Sequence, residues 1–135
     1  NLVMIIAVFT LRWRQVWVMQ ILRLLITALF TGFSVFLYSF AGGILSLLAM
    51  YLMKQFGPKL VSMIGISTVG GFFHNFGQLA MASLLAKTTS VMLYLPWLAF
   101  FGILAGFAIG IAGNQLITRV KPIQELFIKE SKQWT

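Results

Sequence analysis

From Gln15 to Thr118 the chain carries only four charged residues, Arg23, Lys54, Lys59 and Lys87, and the stretches between them are long and apolar. That spacing constrains the fold more than any other feature. A water-soluble domain carries about 25% charged residues, because its surface must be hydrated. Here 9% are charged and 60% are hydrophobic, too little charge to clothe a soluble surface. Lipid removes the difficulty, since it accepts apolar side chains on the outside of a helix whose backbone is internally satisfied. The expectation is an all-α fold, a polytopic transmembrane helical bundle in the cell membrane forming one domain over residues 1–135.

A crossing of the hydrocarbon core takes about 20 apolar residues. The first run, 1–9, is shorter than that and reads as the end of a helix whose beginning precedes Asn1. The later runs predict spans over 15–38, 41–54, 66–86 and 91–117. Gly57, Pro58 and Lys59 punctuate the chain between the third and fourth. Pro96 falls in the first two turns of the last span, where proline is best tolerated. The tail, 120–135, places Ile123, Leu126, Phe127 and Trp134 near one face of a helix. Gln124, Glu125, Lys129 and Lys132 lie opposite, as in a helix resting on a membrane surface.

Helices that cross in alternation put their connections on alternating sides. One side then receives Arg12, Arg14, Lys54, Lys59, Arg119, Lys121, Lys129 and Lys132, and the other only Lys87. The excess of Lys and Arg marks the cytoplasmic side, so the C-terminus is expected in the cytoplasm. A chain that also starts in the cytoplasm needs one more helix upstream, giving six in the full chain with the first incomplete here. Trp13, Trp17, Trp97 and Trp134 lie near the expected interfaces, where aromatic belts form.

Composition excludes several chemistries. The net charge of +8 is carried between membrane runs and not in a solvent-facing basic patch, so nucleic acid is not an expected partner. There is no cysteine, hence no disulfide and no thiolate site. A single histidine without carboxylates in the spans cannot fill a metal coordination sphere, and no cofactor is expected. No Gly-x-x-x-x-Gly-Lys-Ser/Thr phosphate loop is present, and no nucleophile–base–acid arrangement. The chain is expected not to be an enzyme.

Two stretches stand out: 41–50, AGGILSLLAM, with its Gly-Gly-x-x-Ser core, and 65–79, GISTVGGFFHNFGQL, with its His-Asn-x-Gly-Gln segment. Together with Arg23, the Leu95–Pro96 pair and the glycine-rich last span, they resemble the Gx transporter family, also called heptaprenyl diphosphate synthase component I. The resemblance covers nearly the whole chain. That family is similar to the substrate-binding S components of energy-coupling factor transporters, which have six helices and both ends in the cytoplasm. The resemblance implies an S-component-like bundle that captures a small molecule. The synthase name points elsewhere. Soluble prenyl diphosphate synthases hold magnesium and diphosphate with Asp-rich motifs, whereas this chain has no aspartate and only two glutamates, both in the tail.

Four residues are candidates for substrate binding. Arg23 places a charge inside a span at a cost of about 2.5–3.5 kcal/mol on insertion scales, which favours a position facing the bundle interior. The competing reading is that it snorkels to the nearby cytoplasmic interface. His74 and Gln78 are four apart and share a helix face, with Asn75 beside them. They are expected near the depth of Arg23, lining or bracing a polar pocket. The alternative is interhelical bonding that only holds helices together. Gly102, Gly106 and Gly110 repeat every four residues and let another helix approach closely, either within the chain or from a partner subunit.

The leading expectation is a membrane substrate-binding or transport subunit for a small amphipathic or anionic molecule. Any ATP hydrolysis would be left to the separate ATPases of a transporter module. The alternatives are an accessory subunit in prenyl diphosphate or quinone metabolism, and a scaffold for an electron-transfer partner. The topology is directly testable because the chain lacks cysteine. In intact cells a membrane-impermeant thiol reagent should label Lys87→Cys and spare Lys121→Cys until the membrane is permeabilised. The reverse pattern would overturn the orientation.

Overall fold

A computed structural model describes residues 2–56 and 60–132. The Gly57-Pro58-Lys59 break and Trp134 lie outside the described residues. Six α-helices run in order: α1 (Leu2–Thr10), α2 (Trp13–Phe30), α3 (Phe33–Gln55), α4 (Met63–Ala86), α5 (Leu95–Arg119) and α6 (Lys121–Ser131). A short 3₁₀ segment, Thr89–Tyr94, leads into α5. The described residues contain no strand. These six include the nine-residue α1 and the tail helix, so they are not the six crossings expected from charge alone.

Local chemistry explains where the helices start and stop. Ser62 caps α4 by accepting the Gly65 N–H at 3.1 Å. Lys87 ends α4 in the left-handed conformation, φ 51°, and its N–H reaches back to the Leu84 carbonyl. Thr88 then accepts the Ser90 N–H at 3.2 Å and opens the 3₁₀ segment. Pro96 and Pro122 stand in the first turns of α5 and α6, where the missing N–H has no helical partner to lose.

One expected boundary is corrected. Hydropathy places the second span at 15–38 and the third at 41–54, but the break falls at Thr31 and Gly32, both extended. Near the end of α2, Thr27 and Thr31 turn their hydroxyls onto the carbonyls of Arg23 and Thr27, at 2.9 and 2.6 Å. Gly32 then stands as the N-cap of the next helix, a position that glycine favours. Gly42 and Gly43 lie inside α3 and are buried. They are packing surface and not a turn.

The bundle is organised around α4, which packs most extensively against α5 and α3. The contacts are made backbone to backbone. A Cβ on Gly102 would lie 2.7 Å from the Gly71 carbonyl oxygen, and one on Gly110 2.7 Å from Ile64 Cα. On the other flank, a Cβ on Gly77 would lie 2.8 Å from the Ala41 carbonyl oxygen, and one on Gly42 2.6 Å from the His74 carbonyl oxygen. These pairs also fix the helix directions: α4 runs antiparallel to both neighbours. Arg12, Arg14, Lys54, Arg119 and Lys121 therefore gather at one end of the bundle and Lys87 at the other.

The apolar core lies at the basic end. Ile5 and Val8 of α1 and Val16 of α2 are fully buried there, with Leu47, Met63 and Ile117. The tail helix joins this core: Ile123 and Phe127 pack against it, and the Phe127 ring sits 6.3 Å from that of Phe9. Leu126, expected on the same face, is exposed instead, and Glu130 takes the next buried position. Lys54, near the end of α3, donates to the Val8 carbonyl and stands 5.6 and 5.7 Å over the rings of Phe9 and Tyr51. The carboxylate of Glu130 is close enough to act electrostatically on it. The charge that ends α3 thus ties α1, α3 and α6 together. The helix predicted to rest on the membrane is docked along one side of the protein.

Two segments, Phe33–Gln55 and Thr89–Arg119, are long and apolar enough to cross a membrane by length and composition. α2 carries Arg14, Gln15, Gln20 and Arg23, and α4 carries His74, Asn75 and Gln78, which offset their apolar residues. Side chains on the outer faces of α2 and α5, such as Leu25, Leu29, Phe101 and Phe107, are at least half exposed.

The close approach of α4 and α5 predicts a sharp contrast between two glycines. Gly102→Ala should destabilise the fold by about 1–3 kcal/mol, the usual range for overpacking. Gly32→Ala meets nothing within 4 Å and should change stability far less. Thermal unfolding in mild detergent, followed by far-ultraviolet circular dichroism, measures both.

Candidate polar cavity in the bundle

Small residues at the α4 crossings leave space as well as contact. A cavity of about 60 Å³ lies where α3, α4 and α5 meet, with Ser46, Ser67, His74, Asn75 and Gly102 in its wall. A smaller one, about 10 Å³, lies between α2 and α3 and is bounded by Gln20, Arg23, Gly43, Ser46 and His74. The two share Ser46, Met50 and His74. A water needs about 10–15 Å³ of such space, so the smaller cavity suits one water-sized occupant and the larger a few.

The four residues singled out from sequence do not form one wall. Arg23 and His74 meet at the small cavity, and His74 and Asn75 at the larger. Gln78 does share the His74 face of α4, and a Cβ on Gly42 would lie 2.7 Å from its Cγ. Its opening is different, however. It faces a shallow groove of about 230 Å³ with Val35, Tyr38, Ser39 and Leu98. Asn75 donates to the Leu98 carbonyl at 2.7 Å and so stitches α4 to the first turn of α5. The glycine stripe is spent within the chain: Gly102, Gly106 and Gly110 are all buried against α4.

The structure adds Gln20, Ser46 and Ser67 to the polar centre. Ser46 lines both cavities and donates to the Gly70 carbonyl at 2.8 Å, so its oxygen is still able to accept a hydrogen bond. Gln20 is 1% exposed, and its amide nitrogen is buried with no hydrogen-bond partner, packed onto Gly43. The Nδ1 of His74 is also buried without a hydrogen bond of acceptable geometry, facing Gly42. Gln20 carried a sequence signal: it precedes Arg23 by three residues, which places the two on one helix face. Ser46 and Ser67 carried none, because serine is common in membrane helices as a packing residue.

Chemically the cavity offers donors and lone pairs but no acid. Neither carboxylate lines it, since Glu125 and Glu130 both lie on α6. It can bind and orient a small polar group. Among the described residues no serine of its wall is hydrogen-bonded to His74, and no carboxylates gather there.

Comparison with known proteins gives one match. The family model for heptaprenyl diphosphate synthase component I matches residues 1–116. No curated protein and no solved structure matches the chain.

The orphaned amide of Gln20 generates a prediction of unusual sign. A buried unsatisfied donor costs about 1–3 kcal/mol, so Gln20→Met, of similar length and without the amide, should leave the ligand-free protein as stable or more stable. Asn75→Leu removes a satisfied bond and should destabilise by about 0.6 kcal/mol, the average for such bonds in membranes. Melting temperatures of the purified ligand-free variants decide it, and a large loss for Gln20→Met would contradict the assignment.

Proposed function

The chain belongs to the heptaprenyl diphosphate synthase component I family, and we propose that it serves prenyl diphosphate metabolism as a non-catalytic membrane subunit beside a separate catalytic component. The observation that carries this reading is the family match over residues 1–116, joined to a composition without aspartate. Condensing prenyl diphosphates requires carboxylates to hold magnesium against the diphosphate. Here Glu125 is exposed and Glu130 is buried beside Lys54 and Tyr51. Among the described residues no group of three or more His, Cys, Asp or Glu comes together to hold a metal ion. The residues do not fit a magnesium site, so the partner supplies the catalysis, and the word component in the family name fits a two-part assembly.

The membrane setting draws on the two long apolar helices and on what lies between them. α4 is held backbone to backbone by both, so it shares their environment and turns His74 toward the bundle interior, where polar groups in membranes belong. The exposed apolar faces of α2 and α5 suit lipid contact. The basic end then lies in the cytoplasm with α6, where a soluble partner would meet it.

A second reading, capture of a small amphipathic or anionic molecule for transport in the manner of an energy-coupling factor S component, is favoured by the polar cavity itself. A chain that only docked a partner has no need of Arg23, Gln20 and His74 around a void.

Reconstitution separates the two. Co-expression with the catalytic component of the synthase should give co-purification in mild detergent and a higher rate of long-chain prenyl diphosphate synthesis than the catalytic component alone. Absence of both association and rate effect would overturn the accessory reading. Uptake of a solute by cells carrying the chain with a transporter module, and not without the chain, would establish the second.

A further inference from the structure

Arg14 and Gln15, in the first turn of α2, line a groove that lies apart from the polar centre. It is shallow, holds about 340 Å³, and is completed by Leu11, Val18 and Met19. Both polar residues are exposed, and the Arg14 guanidinium stands 5.5 Å over the ring of Trp13. Gln15 accepts the Arg12 N–H on its side-chain oxygen at 3.1 Å, and its amide nitrogen stays available to donate. Neither glutamate lines the groove, since both lie on α6. A guanidinium presents a planar fork of donors that matches a phosphate or carboxylate, so this end of the groove suits an anionic group.

The rest of the surface is apolar and has a matching length. Val18, Ile21, Leu22 and Leu25 follow Arg14 on one helix face, and each is at least half exposed. The opposite face, with Gln20 and Leu24, is buried. From Arg14 to Leu25 the helix rises about 16 Å, close to the depth of one leaflet, half of a hydrocarbon core about 30 Å thick. One stripe thus joins a cation at headgroup depth to an apolar strip as long as an acyl chain. A free anion would leave the strip bare, and a soluble partner would not reach it from the cytoplasm. We propose that this face of α2 holds one phospholipid of net negative charge from the cytoplasmic leaflet, its headgroup on Arg14 and Gln15 and an acyl chain along Val18, Leu22 and Leu25. The assignment rests on the reading of the bundle as membrane-spanning with its basic end in the cytoplasm, and it is independent of whether the chain serves a synthase or a transporter.

Native mass spectrometry of the full chain in mild detergent tests this with dioleoyl phosphatidylglycerol, dioleoyl phosphatidylcholine and glycerol 3-phosphate. Phosphatidylglycerol should be retained as a single adduct, and phosphatidylcholine, with the same acyl chains and no net charge, should be retained far less. This comparison in the unaltered chain needs no variant. Arg14→Gln, at an exposed position, should keep its melting temperature and weaken phosphatidylglycerol binding about fivefold, the effect of one basic residue at an anionic lipid surface. Arg119→Gln removes the same charge at the same end but lies off the groove, and should change binding by less than about twofold. Equal retention of the two lipids would overturn the proposal. Equal losses for Arg14→Gln and Arg119→Gln would do the same, since only diffuse charge would then be at work. Displacement of the lipid by glycerol 3-phosphate would assign the groove to a free anion and overturn the lipid occupant. Release of the unaltered chain from membranes by alkaline carbonate would sink the membrane reading instead.

Discussion

The close passage of α4 between α3 and α5 is the constraint on which the rest of the structure depends. In the lipid setting proposed above there is little hydrophobic drive to press one apolar helix onto another, so association would rely on packing and on backbone approach. Glycines on both flanks of α4 meet that need. Gly71 faces Gly102 on one side, and Gly77 faces Ala41 and Gly42 on the other. The same smallness opens the cavity. Where two backbones meet over glycine there is contact, and one turn away, at Ser46, Ser67 and Ala105, the missing side-chain volume becomes space.

Polar groups then fall into two kinds. Asn75 and Ser46 have found backbone carbonyls on a neighbouring helix and hold the crossings in register. Gln20 and the Nδ1 of His74 have not, although both are buried. Stability alone does not favour retaining such groups, because an apolar residue of the same shape is neutral or better at those positions. Their presence beside a void that Arg23 also lines is what both proposed readings of function draw on.

The basic end solves a different problem. Lys54 ends α3 where the chain leaves the apolar region. Its ammonium is taken up by the Val8 carbonyl, two aromatic faces and the field of Glu130. The two acids of the chain lie on α6, and one of them is used here. This is why the amphipathic tail is docked: its apolar stripe at Ile123 and Phe127 packs on the core that α1 builds, and its buried acid lies within electrostatic reach of the terminal cation of α3.

Hydropathy by itself determined the helical class, because a helix follows from local periodicity and from a residue's own chemistry, such as the proline opening α5. The tertiary structure decided what periodicity does not encode. It put the second break at Thr31 and Gly32, both extended, and used Gly42 and Gly43 as packing surface inside α3. It sent Gln78 to a separate groove and tied Asn75 to Leu98. It brought Gln20 of α2 against Gly43 of α3 beside His74 of α4, a junction of three helices. Distances between residues far apart in the chain depend on how closely backbones approach, and that is set by which small residues face each other across a crossing.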